Sequence, residues 1–154
     1  MLTNVRWLGL DVGRVRVGAA VGDSSCSAAT ALPPIPFKGA DLLARTIADL
    51  VDTWAAEGVV VGVPKTRSGC GKGERRVAAV VAALRQALTV PVATEDETGT
   101  TAAAEIRMRE GGVPVRRRDS LRDSVAAQLI LESFLAGMYG QCREDRGVDQ
   151  DGDE

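Results

Sequence analysis

The amino-acid sequence predicts an α/β fold, a central five-stranded mixed sheet flanked by helices, with elements in the order βββαβαβαα. Two observations carry this. Before residue 37, short apolar and β-branched runs are punctuated by Gly and Pro. From residue 40 on, stretches with apolar residues at helical spacing alternate with short runs that are apolar throughout.

Residues 5–11 (VRWLGLD) and 15–21 (VRVGAAV), separated by Gly13 and Arg14, suit a hairpin. A third strand is expected over about 28–32, stopping at Pro33, Pro34 and Pro36, because proline cannot donate to a central ladder. From Ala40 to Glu57, Leu42, Leu43, Ile47, Leu50, Val51 and Trp54 recur at helical spacing, and Gly58 reads as the C-terminal stop. A strand at Val59–Val63 follows, then a basic, Gly-rich loop at Pro64–Gly73 and a helix over Glu74–Leu88. Val90–Thr94 makes the fifth strand. Thr100 or Thr101 can cap a helix ending at Glu110 before Gly111 and Gly112, and the last helix is expected over Leu121–Met138. With right-handed crossovers, the ligand site falls at the carboxyl ends of the central strands.

The chain of 154 residues fits one domain, taken as 1–140, followed by an acidic segment at 141–154 that is expected to be disordered. Its net charge of −2 is uneven: residues 144–154 hold six acids and one base, leaving 18 basic and 15 acidic residues in 1–143. The folded part is therefore basic, as a nucleic-acid partner requires. No run has the length of a membrane span and no secretory leader is visible, so a cytoplasmic protein is expected. Cys26, Cys70 and Cys142 are far apart and in no CxxC spacing, which indicates neither a disulfide framework nor a zinc site. There is no histidine. Serine and cysteine triads, imidazole acid–base steps and imidazole ligands are excluded together, leaving carboxylates, hydroxyls, amines or metal to do any chemistry.

Asp11 closes the first strand and opens DVGRVRVG, where Gly13 lets the backbone turn and Gly18 lies in the second strand. On spacing alone it serves equally as an Asx-turn residue or as a ligand. Asp96 and Glu97 follow the fifth strand and would emerge at the same edge as Asp11 if the strands run parallel; with Glu95 they also suit a solvated acidic loop. Asp123 fits a capping box begun by Ser120, yet shares a helical stripe with Ala127, Ile130 and Phe134. If Asp11, Glu97 and Asp123 meet, cations would relieve their repulsion. Oxygen donors without His or Cys select Mg²⁺ or Mn²⁺, and two such ions about 4 Å apart can activate water and stabilise a leaving oxygen. Arg116, Arg117, Arg118 and Arg122 form one basic cluster; Lys65, Arg67, Lys72, Arg75 and Arg76 form a second. Either is also consistent with a solvated surface, but both flank the proposed edge and suit phosphate contacts.

These segments together resemble the YqgF/RuvX family. The resemblance spans about residues 7–138 and rests on LGLDVGRVRVGAAVGD at 8–23, VVVGVP at 59–64 with Gly69 beyond, DETGTTAAAE at 96–105 and RRRDSLRDSVAAQLILESFL at 116–135. It implies an RNase H-like fold and a nuclease of branched DNA or precursor ribosomal RNA. It also implies an acidic triad of Asp11, Glu97 and Asp123 holding metal, with Asp96 as neighbour and alternative, and Arg16 at the basic position of the first motif. The chain departs from the family pattern at Val15 and Thr98, where the family has basic residues. A non-catalytic nucleic-acid-binding module in ribosome assembly or transcription is the alternative these departures motivate. A nucleotide phosphotransferase, which also uses D-x-G turns, would call for two such domains. Monomer and homodimer are both compatible with the sequence.

Overall fold

In a computed structural model, the structure describes residues 5–25, 28–63, 71–96 and 124–139. The described strands are β1 (Arg6–Val12), β2 (Arg16–Asp23), β3 (Thr30–Pro36), β4 (Gly58–Val63) and β5 (Val92–Asp96), in one sheet ordered β3-β2-β1-β4-β5. β2 is antiparallel to β1 and β3, whereas β4 is parallel to β1 and β5 is parallel to β4. Helices α1 (Ala40–Trp54) and α2 (Lys72–Ala87) supply the connections into β4 and β5. A third helix, residues 124–139 (α3), packs on the sheet's other face. The expected α/β sheet of five mixed strands is what forms.

β1 is central and buried on both sides, and its period of two sorts the core. Leu8 and Leu10 pack with Leu43, Ile47, Val77, Val80 and Leu84 of α1 and α2. Trp7 points the other way, joining Ile130, Leu131 and Leu135 of α3. Between these sits Gly9, where a Cβ would lie 2.7 Å from Leu131 Cβ and 3.0 Å from the Ala127 carbonyl oxygen. A bare backbone at this position lets α3 lie directly on the sheet.

Several boundaries differ from the sequence expectation. β3 continues through Pro33, Pro34 and Pro36 rather than stopping before them. It is the sheet's edge strand, where a missing N–H breaks no ladder, and the register shift between Val17 and Ala19 absorbs the irregularity. Helix α1 ends at Trp54, three residues early, because Ala55 turns left-handed at φ 53° and ψ 44°. Gly58 is therefore no helix stop; it opens β4. α2 begins at Lys72 rather than Glu74, and β5 covers Val92–Asp96 rather than 90–94, so Asp96 is a strand residue. The helix expected to end at Glu110, and the tail at 141–154, lie outside the described residues.

The reason for Gly58 is tertiary. A Cβ there would overlap the Cζ3 and Cη2 atoms of Trp7 and lie 2.6 Å from Cε3. The indole cannot retreat, being 5% exposed and packed at 4.8 Å against the Phe134 ring. Gly58→Ala should lower Tm by roughly 5–10 °C in a calorimetric scan, about 2 kcal/mol of overpacking in a domain of this size. An unchanged Tm would show that Trp7 has room to move.

Candidate active site at the carboxyl ends of β1, β4 and β5

The parallel strands β1, β4 and β5 end at a common edge, and side-chain alternation assigns each residue there to a face. On β1, Trp7 and Gly9 face α3, so Asp11 does too; it is partly buried and pairs with Gly18 of β2. On β2, Ala20 packs in the α3 cluster, which gives Gly18 and Arg16 the same face. On β4, Val60 faces α3, hence so does Gly62, the residue after Val61, which pairs with Leu10. Asp11 is thus bordered on this face by two residues without side chains, Gly18 and Gly62, and Arg16 lies diagonally across from it, within reach of a long side chain. Both glycines are buried, and Asp11 between them is partly buried.

On β5, Ala93 packs in the α3 cluster and Glu95 Oε2 accepts a hydrogen bond from Ser133 Oγ of α3 at 2.8 Å. Thr94 instead lines a cavity with Val77 and Val81 of α2. Asp96 has the parity of Thr94. It is exposed on the α1/α2 face, away from Asp11. Glu97 and Asp123 lie outside the described residues, as do Lys65, Arg67, Arg116, Arg117, Arg118 and Arg122. Among the described residues no group of three potential metal ligands comes together.

Lys72, Arg75 and Arg76 fall in the first turns of α2, whose amino end follows β4 and therefore sits at the edge that carries Asp11. A helix start with basic side chains presents both N–H groups and cations to a phosphate. Exposed Val15 is at the tip of the β1–β2 turn, closed by Gly13 N–H donating to the Arg16 carbonyl at 2.9 Å. Gly13 has no positive φ, so the turn does not depend on left-handed backbone.

Three polar residues of α3 that sequence reasoning passed over attach it to the backbone around β3. Ser124 Oγ donates to the Leu32 carbonyl at 3.0 Å, Gln128 Nε2 donates to the Ala29 carbonyl at 2.7 Å, and Glu132 Oε2 accepts from the Ala29 N–H at 3.0 Å. Their signal was present: positions 124, 128 and 132 share one helix face. Leu32 pairs with Ala19 and Ala19 with Leu10, so the first described turn of α3 stands one residue level from Asp11. A cavity of about 560 Å³ between β3 and α1 lies on the sheet's other face, lined by apolar residues with Lys38 and Thr46, and holds no acid. No described helix is long and apolar enough to cross a membrane.

A family model described as "RuvX: Holliday junction resolvase" matches residues 5–137. A protein of Desulforudis audaxviator is 38% identical over 132 residues, covering 85% of this chain and 94% of its own length. One of Syntrophus aciditrophicus is 39% identical over 132 residues, covering 85% and 88%. Both bear the name "Putative pre-16S rRNA nuclease". Among solved structures, Thermus thermophilus RuvC in complex with Holliday junction substrate aligns with a TM-score of 0.58 at 17% identity, covering 88% of this chain and 96% of that one. The fowlpox virus resolvase with Holliday junction DNA aligns with a TM-score of 0.54 at 10% identity, covering 87% and 99%. These two alignments show a shared RNase H-like fold at low sequence identity. With the family match running from before β1 into α3, the chain belongs to the RuvX family, described as Holliday junction resolvase.

Proposed function

We propose that this chain is a divalent-metal-dependent nuclease that hydrolyses phosphodiester bonds in structured nucleic acid, either precursor ribosomal RNA or branched DNA. Its coarse class, a resolvase-like nuclease, follows from family membership. The observation that carries the finer proposal is the placement of Asp11: a partly buried carboxylate at the sheet's carboxyl edge, on the α3 face, bordered by Gly18 and Gly62. A carboxylate donor at that edge, in a chain without histidine, fits Mg²⁺ or Mn²⁺.

Asp11, Glu97 and Asp123 are the proposed ligands. Glu97 is preferred over Asp96 because Asp96 has the parity of the opposite face. Asp123 is preferred because its chain neighbour Ser124 bonds to a backbone site one level from Asp11. Bound divalent ions would supply activation of water and neutralisation of charge developing on the phosphodiester oxygens. The chain's own groups do the rest. The carboxylates orient the site, Arg16 places a cation on the same face, and Lys65, Arg67, Lys72, Arg116, Arg117, Arg118 and Arg122 hold the phosphate backbone.

The test is a substrate panel of four-way junction DNA, single strands and precursor 16S rRNA with wild-type protein. Cleavage of at least one structured substrate should need Mg²⁺ or Mn²⁺ and stop with EDTA. Salt-sensitive binding without cleavage of any of them, in either metal, would overturn the proposal in favour of a non-catalytic nucleic-acid-binding module.

A further inference from the structure

We infer that the turn between β1 and β2 is a contact for interrupted base stacks: Val15 at its tip packs on a base face laid bare at a branch point or bulge, while Arg14 and Lys38 take the flanking phosphates. The inference rests on the proposed reading of this sheet edge as the nucleic-acid face, and it names the feature of a structured substrate that the edge selects.

Val15 is 62% exposed, the most exposed of the large apolar side chains among the described residues. A lone apolar residue at a surface is ordinary, but the surroundings of this one are not. Two backbone bonds fix the turn that carries it. Gly13 N–H donates to the Arg16 carbonyl, and Phe37 N–H donates to the Val15 carbonyl, each at 2.9 Å. The second bond brings the end of β3 against the turn. Two exposed cations therefore stand close to Val15, Arg14 beside it in the turn and Lys38 one residue beyond its backbone partner. β3 runs in the direction of β1, since both are antiparallel to β2, so all three residues belong to the edge that carries Asp11. At about 3.3 Å per residue, the tip stands about 8–10 Å beyond Asp11. That distance corresponds to two or three nucleotide steps of about 3.4 Å along one strand.

A continuous duplex presents phosphates, sugars and base edges to a protein, and an isopropyl group gains nothing against charged oxygens. Reaching a base face inside an intact stack means first paying for unstacking. Where a branch or bulge has already broken the stack, that face is open, and covering it removes apolar surface on both partners from water. The β-branched side chain of Val15 has few rotamers to lose in doing so. Arg14 and Lys38 attract any nucleic acid regardless of sequence or pairing. Val15 adds to that attraction only at an interruption, which converts general affinity into a preference for structure.

The experiment uses the full chain in EDTA, so that metal binding and cleavage play no part. Wild type, Val15→Ser, Val15→Lys and the double variant Arg14→Ala/Lys38→Ala are titrated against a four-way DNA junction, a bulged RNA stem and the fully paired duplex of each. A fluorescent adenine analogue sits at the interrupted step and at the same position of each duplex. Neither Arg14 nor Val15 has left-handed backbone, so the substitutions carry no backbone strain, and melts by circular dichroism should match wild type. Wild type should prefer at least one interrupted ligand to its duplex and raise the analogue's fluorescence there; the DNA and RNA arms show which backbone carries the preference. Val15→Ser should bind that ligand about five-fold more weakly, with duplex affinity within about two-fold and most of the fluorescence change lost. Val15→Lys should erase the preference by strengthening duplex binding, and should steepen the fall of log K with log salt by about 0.9. The double variant should weaken paired and interrupted ligands alike. Equal wild-type affinity for interrupted and paired ligands overturns the inference, as does a Val15→Ser protein with wild-type preference and fluorescence. Either result leaves the nuclease proposal standing if the substrate panel is cleaved. Failure of wild type to bind any of the four ligands removes the nucleic-acid reading of this edge, and the inference with it.

Discussion

Asp11→Asn should lower cleavage by on the order of 10³-fold or more, equivalent to about 4 kcal/mol of transition-state stabilisation, while nucleic-acid binding stays within a few-fold of wild type. The two effects separate because they depend on different parts of the protein. Asparagine has the shape of aspartate but no charge, so it cannot hold a hard divalent ion as a carboxylate does. On the proposed reading binding depends instead on basic side chains such as Lys72 and Arg75 in the first turns of α2, which the substitution does not touch. The fold should survive as well. Asp11 belongs to the β1–β2 ladder through its backbone, opposite Gly18, and its side chain is not part of either apolar cluster. Asp96→Asn is the matched control, since it removes an equal charge from the same sheet edge but from the exposed, opposite face. That variant should cleave within about two-fold of wild type, the usual range for a solvated surface acid. Both variants would be measured with Mg²⁺ and with Mn²⁺ at saturating substrate. Mg²⁺-dependent cleavage by Asp11→Asn at the wild-type rate refutes the site. Loss of activity in Asp96→Asn equal to that in Asp11→Asn would move the second ligand to Asp96.

The legible features were those decided locally. The hairpin before residue 24, the apolar run of β4 and the amphipathic stretches of α1 and α2 announce themselves through period and composition, and each forms near its expected place. What escaped was decided by neighbours remote in sequence. Three prolines argue against a strand only in the interior of a sheet, and β3 is at the edge. Gly58 resembles a helix stop, yet its reason is the indole of Trp7, more than fifty positions earlier. Asp96 and Glu97 could not be told apart as neighbours in a loop. Once β5 runs to Asp96, alternation gives Asp96 a face, and it is not the face of Asp11. The clamp of Ser124, Gln128 and Glu132 was hidden for another reason: in a helix whose apolar stripe is so pronounced, polar residues at one spacing look like its solvent side. Only the tertiary partners, the backbone groups of Ala29 and Leu32, show that they face protein.

The closest approach of helix to sheet gives the second large expected effect. Gly9→Ala should destabilise the protein by about 3 kcal/mol and lower Tm by roughly 10 °C, even though alanine is the better strand residue by up to about 1 kcal/mol. Sterics win because of what the new methyl would meet. It would lie 2.7 Å from Leu131 Cβ and 3.0 Å from the Ala127 carbonyl oxygen, one an atom fixed to the helix backbone and the other part of it. No rotamer change relieves either contact, so α3 itself must retreat from β1. The retreat cannot be shared evenly, since Ser124 and Gln128 hold the helix to Leu32 and Ala29 on one side. Tilting is the remaining response. A tilt large enough to clear the methyl displaces the amino end of α3 relative to Asp11, and a shift of about 1 Å there can cost roughly 10²-fold in rate. Gly9→Ala is therefore expected to lose activity at temperatures well below its own Tm, where the folded fraction is unchanged. By contrast, Gly58→Ala introduces its clash at the start of β4, at the sheet end away from Asp11. It should lose stability but keep most of its kcat when assayed cold. Circular dichroism melts paired with kcat measured about 20 °C below each variant's Tm distinguish the two. Equal residual kcat in both variants would mean that the seating of α3 on Gly9 has no bearing on the site.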